Sequence, residues 1–127
     1  MKYKISAPFY VPTSKKKNFR LNLNNYRNAH FQVLNLAKKN FEIIIYPDVF
    51  NLPCMQQIEL TYTLYPANKR LFDISNICSI VDKFFCDSLV RQNKLPDDNY
   101  NHIKKVVYQF GNIDKTDPRI EVEITII

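Results

Sequence analysis

The segment IELTYTLYP alternates cleanly, with Ile58, Leu60, Tyr62 and Leu64 on one side and Glu59, Thr61 and Thr63 on the other. A period of two marks a half-buried strand, and Pro66 ends it. KYKISAP repeats the pattern with Tyr3, Ile5 and Ala7. IKKVVYQFG and RIEVEITII give two further strands, joined by NIDKTDP, whose Asp, Asn and Pro content suits a turn. NICSIVDKFFCDSLVRQ changes period: Ile77, Ile80, Val81, Phe84, Phe85 and Ser88 share one face of a helix. NNYRNAHFQVLNLAKKNF also reads as a helix, with Tyr26, Ala29, Val33, Leu36 and Ala37 at helical spacing and Asn24 or Asn25 as cap. FEIII either finishes that helix or starts a strand, because β-branched residues suit strands, and Pro47 is expected to end whichever forms. FYVPTSKKKNFRLNLN, with its prolines and basic run, reads as a loop or irregular arm, and DVFNLP, PANKRLFDIS and NKLPDDNYN read as connections. The order is strand, helix, strand, helix, strand, strand. That order predicts an α+β domain with helices packed on a mixed or antiparallel sheet.

A chain of 127 residues, 46% apolar and 24% charged, fits one domain, 1–127, with one core and a basic N-terminal arm around 11–24. No run of about 18 apolar residues is present and MKYKISAPFY lacks the apolar stretch of a secretory signal, so no membrane partner and a cytoplasmic location are expected. Cys54, Cys78 and Cys86 are odd in number and form no CxxC pair. They are expected to be small buried hydrophobes. His30 and His102 have no ligand neighbour at zinc spacing, and with Gly111 as the single glycine a phosphate-cradling glycine loop is excluded.

Charge changes the picture more. Residues 1 to 41 carry nine Lys or Arg and no acid, while the other 86 carry nine bases and twelve acids. Such asymmetry suggests that one half holds a polyanion, and nucleic acid is the usual one. A merely cationic, soluble surface is the other reading of the same numbers.

The acids themselves are gathered. Residues 70 to 100 hold Asp73, Asp82, Asp87, Asp97 and Asp98, five of the eight aspartates. Asn76, Ser79, Lys83 and Asp87 form a polar stripe beside the apolar helix face. Asp73 precedes that helix; Asp97 and Asp98 follow it in a loop that can turn back through NKLP. Two converging carboxylates with a lysine nearby can hold a hard divalent cation on a phosphate. By spacing alone a second reading stands beside it: Asp73 caps the helix, Lys83 and Asp87 pair at i,i+4, and Asp97 and Asp98 make a turn.

The series D-I-S-N, then K-F-F-C-D-S-L, then a loop ending D-D-N and two closing strands, resembles the RusA family of Holliday junction resolvases. The family pattern is D-x-D-N, a lysine, D-A-L, a short loop and D-D; the proline-containing arm with KKKNF also fits in position. The resemblance spans most of the chain and is most specific over residues 70 to 98. It implies a RusA-like fold and a homodimeric, Mg²⁺- or Mn²⁺-dependent endodeoxyribonuclease that nicks four-way DNA junctions symmetrically. It implies Asp73, Lys83 and Asp98 as catalytic residues, and Asp73 and Asp98 as the metal set, with Asp97 either supporting those ligands from behind or serving as a further ligand. DNA backbone would be held by Lys15, Lys16, Lys17 and Arg20, and by Arg27, Lys69 and Arg70. Phe19, Tyr26 and neighbouring Asn residues would touch sugars or bases at the open centre of the junction. Two departures stand out. Ser75 replaces the second motif aspartate, leaving Asp97, Asp82 and Asp87 as local acids that can step in. The gap from Asn76 to Lys83 is four residues longer, about one helical turn, so Lys83 keeps its face. The same resemblance accommodates a junction binder with lost or weakened cleavage, or a broader branched-DNA nuclease.

Overall fold

The computed structural model describes residues 1–14 and 16–127; Lys15, one of the expected DNA-backbone contacts, lies outside them. The elements run β1 (Lys2–Ala7), β2 (Tyr10–Ser14), β3 (Lys17–Arg20), α1 (Leu23–Asn28), α2 (Phe31–Phe50), β4 (Ile58–Tyr65), α3 (Ile74–Arg91), β5 (Ile103–Phe110) and β6 (Arg119–Ile126). The result is an α+β fold. β1, β6, β4 and β5 lie side by side in one mixed sheet, and β2 and β3 form a separate two-stranded sheet.

The alternating strands behave as their period requires. Ile58, Leu60, Tyr62 and Leu64 of β4 are buried, as are Ile120, Val122 and Ile124 of β6. The opposite face is polar and carries cross-strand ion pairs, Lys2 to Glu123 at 3.6 Å and Lys4 to Glu121 at 3.7 Å. α3 buries Ile77, Ile80, Val81, Phe84, Phe85 and Ser88, the face read from its spacing. β4, α3 and β5 form one crossover unit: β4 and β5 are parallel, so the connecting helix must travel back across the sheet. NIDKTDP therefore leads not to a neighbouring hairpin strand but past β4 to β6, which pairs antiparallel with β4.

Four expectations change. The arm of residues 9 to 24 is not irregular: β2 and β3 pair as a hairpin, Val11 opposite Phe19, and both side chains enter the core. That burial stabilises extended backbone despite Pro12, which sits where an edge strand tolerates proline. The first predicted helix is two helices. Asn22, rather than Asn24 or Asn25, caps α1 by accepting from the Asn25 N–H at 2.8 Å, and Ala29 and His30 are extended before α2 restarts. FEIII belongs to α2, and Pro47 does not end it. Proline costs the helix one bond, to the Ile43 carbonyl. Pro47 is exposed, so water can satisfy that carbonyl, while Phe41, Ile45 and Val49 anchor the helix on both sides of it. Finally, Cys78 and Cys86 are buried as expected, but Cys54 is exposed.

Gly111 has a steric reason. A Cβ there would lie under 3.0 Å from three carbons of the Tyr65 ring. That ring cannot retreat freely, because the Arg119 guanidinium stacks on it at 4.3 Å and is itself tied to Asp114 and Glu121 at 2.8 and 2.7 Å. Gly111→Ala is expected to cost about 1–3 kcal/mol of stability by overpacking. Urea unfolding followed by circular dichroism measures it, and a midpoint equal to wild type would refute the clamp.

Candidate active site

The crossover unit places the acidic helix over two tyrosines. Tyr62 on β4 and Tyr108 on β5 are partners in the parallel register, so both phenols rise from the same face of the sheet. Their rings meet edge to face at 5.7 Å. Asp82 comes down on them from α3. Its Oδ1 accepts from the Tyr62 hydroxyl at 2.6 Å and the Cys86 thiol at 3.2 Å, and its Oδ2 accepts from the Tyr108 hydroxyl at 3.1 Å. Burial, reinforced by the charge of Asp82, pushes the Tyr62, Tyr108 and Cys86 pKa values far up, so all three keep their protons and act as donors. A carboxylate offers about four acceptor sites, so three fixed donors leave about one free.

Beside this cluster lies a groove of about 530 Å³. Asp82, Lys83 and Asp98 line it, with Ser79, Tyr100 and Tyr108. Lys83 is exposed, and its ammonium lies 5.8 Å from the centre of the Tyr26 ring. Among the described residues no carboxylate pairs with Lys83, so the i,i+4 ion pair with Asp87 does not form. Partial burial and the neighbouring carboxylates of Asp97 and Asp87 raise the Asp98 pKa above the ordinary carboxyl range. Such a carboxylate gains from a nearby cation. Asp97 turns into its own loop. It accepts from the Asp98 N–H at 2.8 Å and from the Asn99 amide at 3.0 Å, and the backbone bond holds its carboxyl below the usual range.

Asp73 is elsewhere. It is the exposed N-cap residue of α3, makes no side-chain cap bond, and does not line the groove. Nine residues along the helix separate it from Asp82, roughly 13 Å. Of the expected Asp73 and Asp98 pair, Asp98 lines the groove, where Asp82 rather than Asp73 accompanies it. Asp82 was among the acids open to substitute for the carboxylate missing at Ser75. Ser79, one turn beyond Ser75, reaches the groove, although its hydroxyl donates back to the Ser75 carbonyl.

Magnesium keeps several waters and takes one or two carboxylates plus substrate phosphate. Asp82 and Asp98 are the two carboxylates that line the groove. They do not make an all-protein cage: among the described residues no group of three or more His, Cys, Asp or Glu stands close enough to hold an ion.

The basic residues divide into three places. Lys16 and Lys17 are exposed at the tip of the β2–β3 hairpin, and Arg27 is exposed on α1. Lys69 and Arg70 are exposed in the connection from β4 to α3. Arg20 is different: its guanidinium lies 5.5 Å from the Tyr10 ring centre and 5.9 Å from that of Phe72, and its Nε is buried without a partner. With Arg70 and Asn68 these side chains line a cleft of about 150 Å³. Of the expected base contacts, Phe19 is buried in the core, whereas Tyr26 is half-buried beside Lys83.

Tyr62, Tyr108 and Cys86 were not read as site residues from the sequence. A signal existed for Tyr62: a tyrosine on the inward side of a strand must find a partner for its hydroxyl. Among the described residues no helix is long and apolar enough to cross a membrane. No protein-family model matches the chain, and no curated protein matches it significantly in sequence.

Proposed function

We propose that the chain is a divalent-metal-dependent endodeoxyribonuclease for branched DNA, with four-way junctions as its substrate and symmetric paired nicks as its product. The observation that supports it best is the convergence of Asp82, Asp98 and an unpaired Lys83 in one open groove, on a chain whose first 41 residues carry only positive charge. The motif resemblance over residues 70 to 98 points the same way. Asp82 and Asp98 would hold Mg²⁺ or Mn²⁺, which polarises the scissile phosphate and neutralises its charge. Tyr62, Tyr108 and Cys86 fix the Asp82 carboxylate in position, so it does not have to reorganise on loading. Lys83 stabilises negative charge that develops at the phosphate. Lys16, Lys17 and Arg27, with Arg20 and Arg70 around their cleft, hold the backbone of the arms.

One observation favours a second reading, a junction binder with weakened cleavage: the donor set is two carboxylates rather than three. One experiment separates the two. A synthetic four-way junction is incubated with the protein and Mg²⁺ or Mn²⁺, and products are resolved on denaturing gels beside a gel-shift titration. The nuclease reading expects metal-dependent paired nicks in opposing strands. Tight, salt-sensitive binding without product supports the binder. Neither binding nor cleavage sinks both.

A further inference from the structure

Arg20 does not line the proposed cleavage groove, and its setting needs another explanation. The β2–β3 register sets it opposite Tyr10, and its guanidinium lies within cation–π reach of both the Tyr10 and the Phe72 ring. Among the described residues no carboxylate pairs with it, and its Nε is buried without a partner. A guanidinium so enclosed is suited to a carboxylate or phosphate on its open side. Arg70 and Asn68 line the same 150 Å³ cleft. The Asn68 Oδ1 already accepts from the Arg70 N–H at 2.9 Å, which leaves its NH₂ group as a further donor. A second cleft of about 230 Å³ adjoins the first, since Asn68, Arg70 and Phe72 line both. Its wall includes Leu71, Phe110 and Ile113, all exposed, with Phe110 edge to face against Phe72 at 5.7 Å. Among the described residues no acid lines either cleft. Together the two reach the lower end of the roughly 300–1,000 Å³ of small-ligand sites.

We propose that these adjoining clefts bind one unpaired nucleotide of a DNA strand, its phosphate against Arg20, Arg70 and Asn68 and its base against Phe72, Phe110 and Ile113. Cations and amide donors beside an exposed aromatic wall match the two halves of a nucleotide, an anionic phosphate and a flat base. In a duplex the base faces are stacked away from the protein, so only a nucleotide that has left the duplex can fill both clefts. A strand, rather than a free nucleotide, is the occupant because positive charge continues past the clefts. Lys69 is exposed beside them, and the hairpin that carries Arg20 also carries the exposed Lys16 and Lys17. A free nucleotide has one phosphate to meet that charge; a strand has one at every step. The proposal rests on the reading above only in taking DNA as the ligand, and it needs no cleavage. It makes the Arg20 cleft selective for open strand, as at a junction centre or a flap, instead of one more contact to duplex backbone.

Fluorescence anisotropy on the full chain with EDTA present tests this apart from any nuclease activity. The probes are a short labelled oligothymidine, an abasic strand with the same number of phosphates, and a duplex of the same length. Oligothymidine should bind about 10-fold or more tighter than the abasic strand, the worth of one stacked base. It should also bind tighter than the duplex. Phe110→Ser should remove the difference between the two strands, and Arg20→Met should weaken both. Ile113→Ser provides a second, milder change in the base cleft should Phe110→Ser lose its native circular dichroism. Equal affinity for the oligothymidine and abasic strands overturns the proposal. So does a preference for bases that survives both Phe110→Ser and Ile113→Ser, or a duplex bound as tightly as the strand. Thymidine monophosphate that displaces the strand at micromolar concentration, where inorganic phosphate does not, overturns the choice of a strand as occupant. Junction cleavage without a base preference refutes this site and leaves the nuclease reading standing; a base preference without cleavage does the reverse.

Discussion

Asp98→Asn and Asp82→Asn are each expected to lower metal-dependent junction cleavage by about 10²-fold or more, with junction affinity unchanged within a few-fold. The reasoning is that both carboxylates line the one groove that also holds the unpaired Lys83. A carboxamide keeps the shape but removes the charge that binds a hard cation. For Asp82 the loss has a second source. An amide presents one oxygen where the carboxylate presents two, so the donors from Tyr62, Cys86 and Tyr108 cannot all be satisfied. Asp73→Asn is the informative comparison. Asp73 is exposed at the start of α3, makes no side-chain cap bond and does not line the groove, so its variant should retain cleavage within about three-fold of wild type. Rates measured under single turnover on a four-way junction check all three. If Asp73→Asn is inactive while Asp82→Asn is active, the ion is held where the motif resemblance alone would put it, and the Asp82 groove is not the active site. If all three cleave normally, the acidic cluster has no part in the chemistry.

That comparison also marks where sequence and structure part. The period-two strands and the amphipathic α3 were legible because each buries one face, and burial is what periodicity reports. Ile58, Leu60, Tyr62 and Leu64, and the six α3 positions, are buried as read. α2 was harder because it is apolar on both sides: Ile43, Ile44 and Ile45 give no stripe, although only Ile45 is buried. Its passage through Pro47 depends on anchors at Phe41 and Val49 that no local rule weighs. The β2–β3 hairpin was hidden because its strands are short and only Val11 and Phe19 face the core. For the site, sequence located the acidic region but not the partners. Asp82 and Asp98 are 16 residues apart and separated by a loop, so only the return of the chain to β5 fixes which acids share a groove. Motif position favours Asp73, which stands at the start of α3 and does not line that groove.

Phe85→Ala is the core substitution expected to cost most, about 3–5 kcal/mol, because it removes a fully buried ring and leaves a cavity the sheet cannot close. Phe85 sits on α3 directly against the site. Its ring meets Tyr62 edge to face at 6.3 Å with the planes at 90°. Edge-to-face contact adds about 0.5–1.5 kcal/mol beyond burial, and it also fixes the orientation of the ring that donates to Asp82. The loss of stability should therefore be joined by a loss of order at the site. Equilibrium urea unfolding gives the first quantity from the midpoint and slope. Tyrosine ring signals by NMR give the second, since Tyr62 should broaden or shift in the variant. Phe85→Leu restores most of the volume without the ring and should cost less than half as much. If Phe85→Leu is as damaging as Phe85→Ala, the aromatic contact rather than the cavity governs the loss. If Phe85→Ala costs under 1 kcal/mol, the packing between α3 and β4 is not what holds Asp82 above its tyrosines.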